Sequence, residues 1–581
     1  MFTEKIKAKE YYIKDLFSDK FLFEIPDYQR AYSWNRENLN QLVDDIEESI
    51  ELNRNEFGDT FESYEPYFIG SIVLCSKEFK DDGWGLYDVI DGQQRLTSII
   101  MLIACLRDMI DSEDYKTVLS SLIYQKPNEL LGIKESLRVK VRGKELDFFK
   151  EYILSMGGTL KLINEDKSEF EEAKANMITA VEVFREKFLD EEGNILKDKI
   201  NSFIKYLLQK VVLVVITTDS FTSAFRLFNV INARGLPLTN SDLLKSENLR
   251  VISSDIRAKY ADMWEADEAD LGKDNMEMII GFIRTMKLKK KANTTVFEEF
   301  NKNIFVNDPE YRGIKFVEHI HSVKEIYSSY ILDASINTGN KADDIYYKNL
   351  ITIMRRFLPY DEWMAAVVRF VEKFNDDSMT LEFVKALEKR IVIDWVNGNS
   401  FADRLTRVYK IIDAIDNCDN GLDVKKADIF TSDIDRTAAY FENSLNDIEF
   451  YSKGRMMVPK YILIRLDMEM SRDKEVSYSD KIMLEHILPR NAKDVYWTTN
   501  FSNEQRRNYA NRLGNLILIS GTKSTKSNNK AFAEKMSSYI LKKGDFNITK
   551  EIAILSDWNM ENMKNRQKDL TERCKQLFTK F

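Results

Sequence analysis

Tyr87-Asp88-Val89-Ile90-Asp91-Gly92-Gln93-Gln94-Arg95-Leu96 runs from a short apolar strand into an apolar stretch that continues to Leu106. The first four residues have the composition of a buried strand, and Leu96 to Leu106 that of a helix. Between them stand a carboxylate, one glycine, two amides and an arginine. A strand-to-helix turn leaves backbone N–H groups without intrahelical partners, and an arginine at the helix start adds a fixed fork of donors. Such a turn is suited to hold an anion, typically a phosphate. The same five residues also read as a tight turn whose Arg95 makes a structural salt bridge.

Outward from this turn, the first 250 or so residues mix strands and helices. Phe68 to Leu74 is strand-like, and a turn at Asp82-Gly83 leads to the strand before Asp91. Val211 to Ile216 is rich in β-branched residues and reads as a buried strand, followed by a helix from Ala224 to Asn232. From about 251 to 450 the pattern becomes helical, Tyr360 to Phe370 being one example, and eight prolines in the whole chain favour long helices. The fold class is therefore α+β and multidomain. No internal repeat or low-complexity linker interrupts it.

Composition narrows the function classes. No uninterrupted apolar stretch reaches the ~18 residues of a membrane span, and the first ten residues carry no apolar signal region. The four cysteines (Cys75, Cys105, Cys418, Cys574) lie far apart without metal spacing, which predicts a reduced, cytoplasmic chain with no membrane partner. The net charge of −10 is unevenly spread. Residues 481–581 hold 19 Lys and Arg against 10 Asp and Glu, a basic segment fit for a phosphate backbone in an otherwise acidic chain. A solvated, charge-mixed surface is the plainer reading of the same count.

Two further stretches stand beside Asp91–Arg95. Ile25-Pro26-Asp27-Tyr28-Gln29-Arg30-Ala31-Tyr32-Ser33-Trp34 puts arginine, amide and three aromatics into ten positions, a mixture that stacks on a base while donating hydrogen bonds. Phe228 to Lys245 reads as a helix, a turn closed by Gly235, and a second helix capped by Asn240 or Ser241. Taken together, Ile25-Pro26 with Tyr28-Gln29-Arg30, Tyr32 and Trp34, then Phe68 with Gly70-Ser71-Ile72, then Ile90 to Thr97, then Phe228, Ile231-Asn232 and Arg234-Gly235 with Leu238 and Asp242 to Lys245 resemble the N-terminal domain of GmrSD-type modification-dependent (type IV) restriction systems. The resemblance covers about residues 1–250 and implies a fold similar to ParB and sulfiredoxin that binds and hydrolyses a nucleoside triphosphate, GTP or another. It implies that Arg95 clamps phosphate oxygens and that Asp91 holds Mg2+ or orients water. Gln93 or Gln94 would position the nucleotide or the attacking water, with Gln29, Arg30, Tyr32, Trp34, Gly92 and Asn232 completing the nucleotide site. Gly521-Thr522-Lys523-Ser524-Thr525 lacks the Gly-Lys adjacency of a Walker A loop.

The second constellation is Glu485-His486-Ile487-Leu488-Pro489-Arg490-Asn491. Of three histidines, His319 and His321 are two apart, which places them on different faces of a helix. His486 follows an acid, precedes a proline and opens the basic segment. Histidine suits a general base near neutral pH, and a neighbouring carboxylate suits a divalent metal. With Leu513-Gly514-Asn515-Leu516, Asn529-Lys530, Phe532, Lys535, Trp558 and Arg566, this stretch is similar to the His-Me finger (HNH-like, ββα-metal) nuclease domain of the same family, over about residues 451–581. The resemblance implies that His486 activates water, that Glu485 helps bind one Mg2+ or Mn2+, and that Asn515 serves the metal site by supporting the loop or the histidine. Nine residues after Asn515 the family presents a metal-binding asparagine. Ser524 stands there instead, and Asn528 or Asn529 would replace it only if the loop register shifts.

The reading is thus a domain at 1–250 carrying the nucleotide site, a helical linking domain at 251–450 and a nuclease domain at 451–581. Its function would be NTP-dependent restriction of double-stranded, modified phage DNA, with homo-oligomerisation left open. The rival is an NTP-switched DNA sensor or clamp with a degenerate nuclease domain. A third option is an NTPase toxin or RNase acting on host nucleic acid.

Overall fold

The structure, a computed structural model, describes residues 6–27, 29–79, 85–127, 129–131, 134–219, 223–224, 227, 239–253, 255–432, 434–478, 481–520, 529–539 and 546–580. The chain divides into two compact units, Met1–Asp262 and Met263–Phe581. It is mixed α+β and mostly helical.

The first unit is built on a six-stranded sheet. Its strands are β1 (Lys7–Tyr12), β2 (Phe21–Glu24), β3 (Tyr67–Phe79) and β4 (Gly85–Asp91), then, after a small ribbon of β5 (Tyr124–Gln125) and β6 (Ser136–Leu137), β7 (Val139–Lys140) and β8 (Val211–Thr218). Their order is β1-β8-β3-β4-β2-β7. The β8–β3, β4–β2 and β2–β7 pairs are parallel, and β1–β8 and β3–β4 antiparallel. Strand β3 is bent by register shifts, one of them against β8 between Phe68 and Ser71. The helix Gln93–Met109 leaves β4 after a single residue, and every residue from Leu96 to Arg107 is buried. A helix apolar on all sides is one enclosed by its neighbours, here Glu113–Ile123, Gly158–Leu162 and Glu172–Glu186.

The expected turn at Asp82-Gly83 and most of the expected helix from Ala224 to Asn232 lie outside the described residues. The helix Asn240–Val251 is capped by Thr239, not by Asn240 or Ser241. Thr239 Oγ1 accepts the Asp242 N–H (3.2 Å) and the Asp242 carboxylate accepts the Thr239 N–H (2.9 Å). This reciprocal box needs a side-chain acceptor three residues on, which Thr239 finds in Asp242 and the other two candidates would not find in leucines.

The second unit holds no strand between 263 and 450 among the described residues. His319 and His321 lie on the helix Ile314–Ile326 and take separate partners, Glu372 and Asp267. The helices Lys341–Phe357, Asp377–Val396 and Met457–Glu469 pack around a buried ionic network. Arg465 donates to Glu388 (3.1 Å), Glu469 (2.6 Å) and the Tyr346 hydroxyl (2.6 Å), and the Tyr461 hydroxyl donates to Glu388 (3.0 Å). Beyond it, β9 (Ile482–His486) and β10 (Leu516–Ser520) form an antiparallel ribbon with Leu516 opposite His486 and Ile517 opposite Glu485. The helix Phe532–Tyr539 follows, its Phe532 and Met536 sharing a core with Ile487, Leu488, Trp497, Ile517, Ile519 and Trp558. The closing helix Met560–Phe578 packs on the turn Leu513–Asn515.

Candidate functional site

In the first unit the turn between β4 and the helix Gln93–Met109 requires its glycine twice over. Gly92 has φ +92°, and a Cβ there would stand 2.4 Å from Ile72 Cγ2. Left-handed backbone costs other residues about 1–3 kcal/mol, so Gly92→Ala is expected to lower the urea midpoint of the first unit by at least that stability. Arg95 reaches from the helix start to β3 and donates to the Ser71 carbonyl (2.8 Å). The register shift in β3 makes room for it, because Gly70 (φ +108°) turns bare backbone to the guanidinium, 3.1 Å from where a Cβ would be. Burial lowers the pKa of Arg95, and the charge of Asp91 works against that shift.

The glutamines hold the aromatic segment in place. Gln94 donates to the Ala31 carbonyl (3.0 Å) and accepts the Ser33 N–H (2.8 Å). Gln29 donates to the carbonyls of Val89 (3.2 Å) and Ile90 (3.1 Å), and the Tyr32 hydroxyl bonds that of Ser98 (2.6 Å). Trp34 is half-buried against the core and Arg30 is exposed. Arg142 donates to the Gln29 carbonyl (2.9 Å) and in bidentate fashion to Glu145 (3.1 and 2.8 Å). Arg30, Tyr32, Gln93, Gln94, Arg142 and Glu145 line one narrow cleft with a free volume of ≈ 20 Å³. That is room for about one water molecule, far below the ~300 Å³ at which small-molecule pockets begin. Asn232 and Tyr28 lie outside the described residues.

In the second unit, β9 delivers Glu485 and His486 to the end of the ribbon. His486 is 9% exposed and its Nε2 meets Asn511 Oδ1 at 3.1 Å. Asn511 is itself oriented, because its amide donates to Glu449 Oε2 (2.8 Å). Its carbonyl oxygen therefore faces the ring, the imidazole proton sits on Nε2, and Nδ1 keeps a lone pair for accepting a proton. Burial pushes the imidazole pKa down to about 4, with the charges of Arg490 and Lys535 adding to the shift and the Asn511 hydrogen bond opposing it. The Tyr451 ring packs 4.3 Å from the imidazole. The ring is neutral at pH 7.

The turn opposite is fixed from several sides. Asn515 is fully buried. It accepts the Leu488 N–H (2.8 Å) and donates to the carbonyls of Leu488 (2.9 Å) and Ala510 (2.7 Å). Of its two expected services this geometry fits loop support, since its side chain bonds the backbone of Leu488 and Ala510 and makes no described bond to the His486 ring. Asn529 accepts the Lys493 N–H (3.1 Å). Ser524 and Asn528 lie outside the described residues. Arg566 donates to the carbonyls of Gly514 (2.7 Å) and Leu516 (2.8 Å), and Gln567 accepts the Gly514 N–H (2.7 Å).

Two family models match the chain, the GmrSD restriction endonuclease N-terminal domain over residues 13–249 and the GmrSD restriction endonucleases C-terminal domain over residues 435–573. The chain belongs to the GmrSD restriction endonuclease family. No curated protein matches it. Membership carries a restriction endonuclease function with DNA as substrate. The GmrSD N-terminal match takes in Gln29 to Arg95, and the C-terminal match takes in Glu449 as well as His486. No described helix is long and apolar enough to cross a membrane.

A divalent ion at this GmrSD C-terminal site would find part of its ligand set in these residues. Glu485 is a carboxylate of suitable chemistry beside His486, but among the described residues no three carboxylate, imidazole or thiol side chains converge there. The buried ammonium of Lys535 stands 3.4 Å from Glu485 Oε1 while donating to the carbonyls of His486 (2.8 Å) and Ile487 (3.1 Å). The described residues therefore leave a metal site incomplete.

Asn511 and Glu449 are the functional residues that sequence reasoning missed. Asn511 lies 25 positions from His486 and Glu449 another 62 from Asn511, so no local spacing marks either. Asn511→Ala is expected to lower DNA cleavage about 10–100-fold, the usual loss when a partner that orients a working histidine is removed. The check is the initial rate of plasmid nicking, with secondary structure verified by circular dichroism.

Proposed function

We propose that this chain is a nucleotide-gated DNA endonuclease of antiphage defence that acts in the cytoplasm. The observation that carries the reading is the neutral, buried His486, whose free Nδ1 is set by the Asn511–Glu449 relay. In this reading β9, β10 and the helix Phe532–Tyr539 form a His-Me finger, and Nδ1 takes the proton of the water that attacks the scissile phosphate. Mg2+ or Mn2+ held by Glu485 would stabilise the charge that develops on that phosphate, with Ser524, or Asn528 or Asn529 in a shifted register, as the further ligand the resemblance implies.

The ParB- and sulfiredoxin-like N-terminal domain would bind a nucleoside triphosphate at Asp91–Arg95 and sense modified DNA. The support is the glycine-dependent turn and the half-buried Arg95 at the helix start, with a narrow cleft lined by polar side chains beside them. Gln29, Gln94 and Tyr32 then act by holding the Gln29–Ser33 segment against the turn. Arg95→Gln is expected to weaken binding of a labelled NTP about 10–100-fold, the worth of one charged hydrogen bond at ~1.5–3 kcal/mol. Unchanged binding by equilibrium dialysis would remove Arg95 from the site. The whole reading is tested by nicking of modified and unmodified phage DNA with Mg2+ or Mn2+, with and without each NTP.

Two observations favour a second reading, an NTP-switched DNA sensor with a degenerate nuclease domain. The Lys535 ammonium lies beside Glu485, where a metal ion would otherwise meet that carboxylate, and Ser524 replaces an expected asparagine. Supercoiled plasmid left intact under every such condition, with DNA binding retained, selects it.

A further inference from the structure

Arg512, Lys564 and Lys568 line one cleft of ≈ 350 Å³ along the closing helix. We propose that this cleft is a phosphate track that leads a DNA strand to His486. The proposal rests on the nuclease reading of that histidine and adds the surface that feeds it.

The cleft has an uncompensated positive character. Its two carboxylates, Glu442 and Glu572, share Lys575 at 2.9 and 3.9 Å, which leaves them outnumbered by the four cations Arg512, Lys564, Lys568 and Lys575. Among the described residues, Arg512, Lys564 and Lys568 make no ion pair, and Asp447, the carboxylate in electrostatic reach of Arg512, is itself paired with Lys453 (3.1 Å). Lys564 and Lys568 are one helical turn apart and share a face of the closing helix. Arg512 is held in advance, its guanidinium 4.7 Å above the Tyr509 ring and its Nε bonded to the Asn508 carbonyl (2.9 Å). The polar floor leaves these cations alone, because Gln567 spends its amide on Gly514, Leu445, Asn446 and Thr571.

Three unpaired cations along an open, polar cleft call for a polyanion, and the chain connects them to the histidine directly. Arg512 follows Asn511, the residue that bonds His486. The turn that follows Arg512 packs tightly on the helix that carries Lys564 and Lys568, since a Cβ on Gly514 would stand 2.9 Å from the backbone of Gln567. These cations also belong to the basic segment after residue 480, and the cleft gives that charge a place to act.

The test measures binding, not turnover. A dye-labelled DNA duplex is titrated with the full chain in EDTA at several salt concentrations. The wild type is compared with Lys564→Gln/Lys568→Gln, with Arg512→Gln, and with Lys410→Gln, an exposed lysine elsewhere on the same unit. Removing one cation that neutralises a phosphate reduces the slope of log Kobs against log salt by about 0.9. The double variant is therefore expected to lower the slope by about 1.8 and Arg512→Gln by about 0.9, while Lys410→Gln keeps the wild-type line. A double variant with the wild-type slope overturns the track and leaves the nuclease reading standing if plasmid is still nicked. A Lys410→Gln reduction as large as that of either lysine also overturns it, since net charge alone would then explain the effect. A wild type that binds no duplex and nicks no plasmid overturns the track and the nuclease reading together.

Discussion

Replacing His486 by alanine is expected to slow nicking of supercoiled plasmid about 10²–10⁴-fold, the contribution of a well-placed general base. Folding should survive. The side chain makes one hydrogen bond, to Asn511, and its ring leans on Tyr451, so the deletion leaves a small cavity beside a loop that Asn515 and Lys535 still hold. Circular dichroism and the duplex-binding slope should match the wild type. The variant also decides between endonuclease and sensor. Equal, undetectable nicking by wild type and variant on modified and unmodified DNA, with Mg2+ and with Mn2+, would end the endonuclease proposal and leave a DNA sensor.

The largest expected loss of stability is at Arg465. Its guanidinium is 1% exposed and holds Glu388, Glu469 and Tyr346 at once. Arg465→Ala leaves the fully buried Glu388 carboxylate with the Tyr461 hydroxyl as its remaining hydrogen-bond partner. Removing one partner of a buried pair costs about 3–5 kcal/mol, more than the pair itself contributes. Chemical denaturation should show the second unit melting much earlier. The double replacement Arg465→Met/Glu388→Leu, which removes both charges, should recover most of that loss. A single variant within ~1 kcal/mol of wild type would mean that water reaches the pair, against its burial in the fold.

What was legible in the sequence follows from how far apart the partners lie. β4, its glycine and the helix after it are contiguous, so apolar runs and one glycine define them. The Glu485–His486 strand end was legible for the same reason. The work of the site's amides was not. Gln94 and Gln29 read as groups for a nucleotide, yet each amide is committed to backbone some 60 residues away, a partnership no local pattern announces. The relay from Glu449 through Asn511 to His486 escapes a linear reading in the same way. Asn515 reads equally as support for the loop or for the histidine, and only its three hydrogen bonds inside the fold separate the two. The Thr239 cap was missed by one position although the signal was present, since Asp242 stands three residues on.

The grip of the closing helix on the turn at Gly514 carries a genetic consequence. Arg566 and Gln567 fix the backbone on either side of Asn515, and Met563, Leu570, Cys574 and Phe578 bury the helix that presents them. A premature stop after codon 559 would spare Glu449, Glu485, His486 and Asn511 and still yield a null allele. The closing helix is, in this protein, as necessary to the site as its histidine.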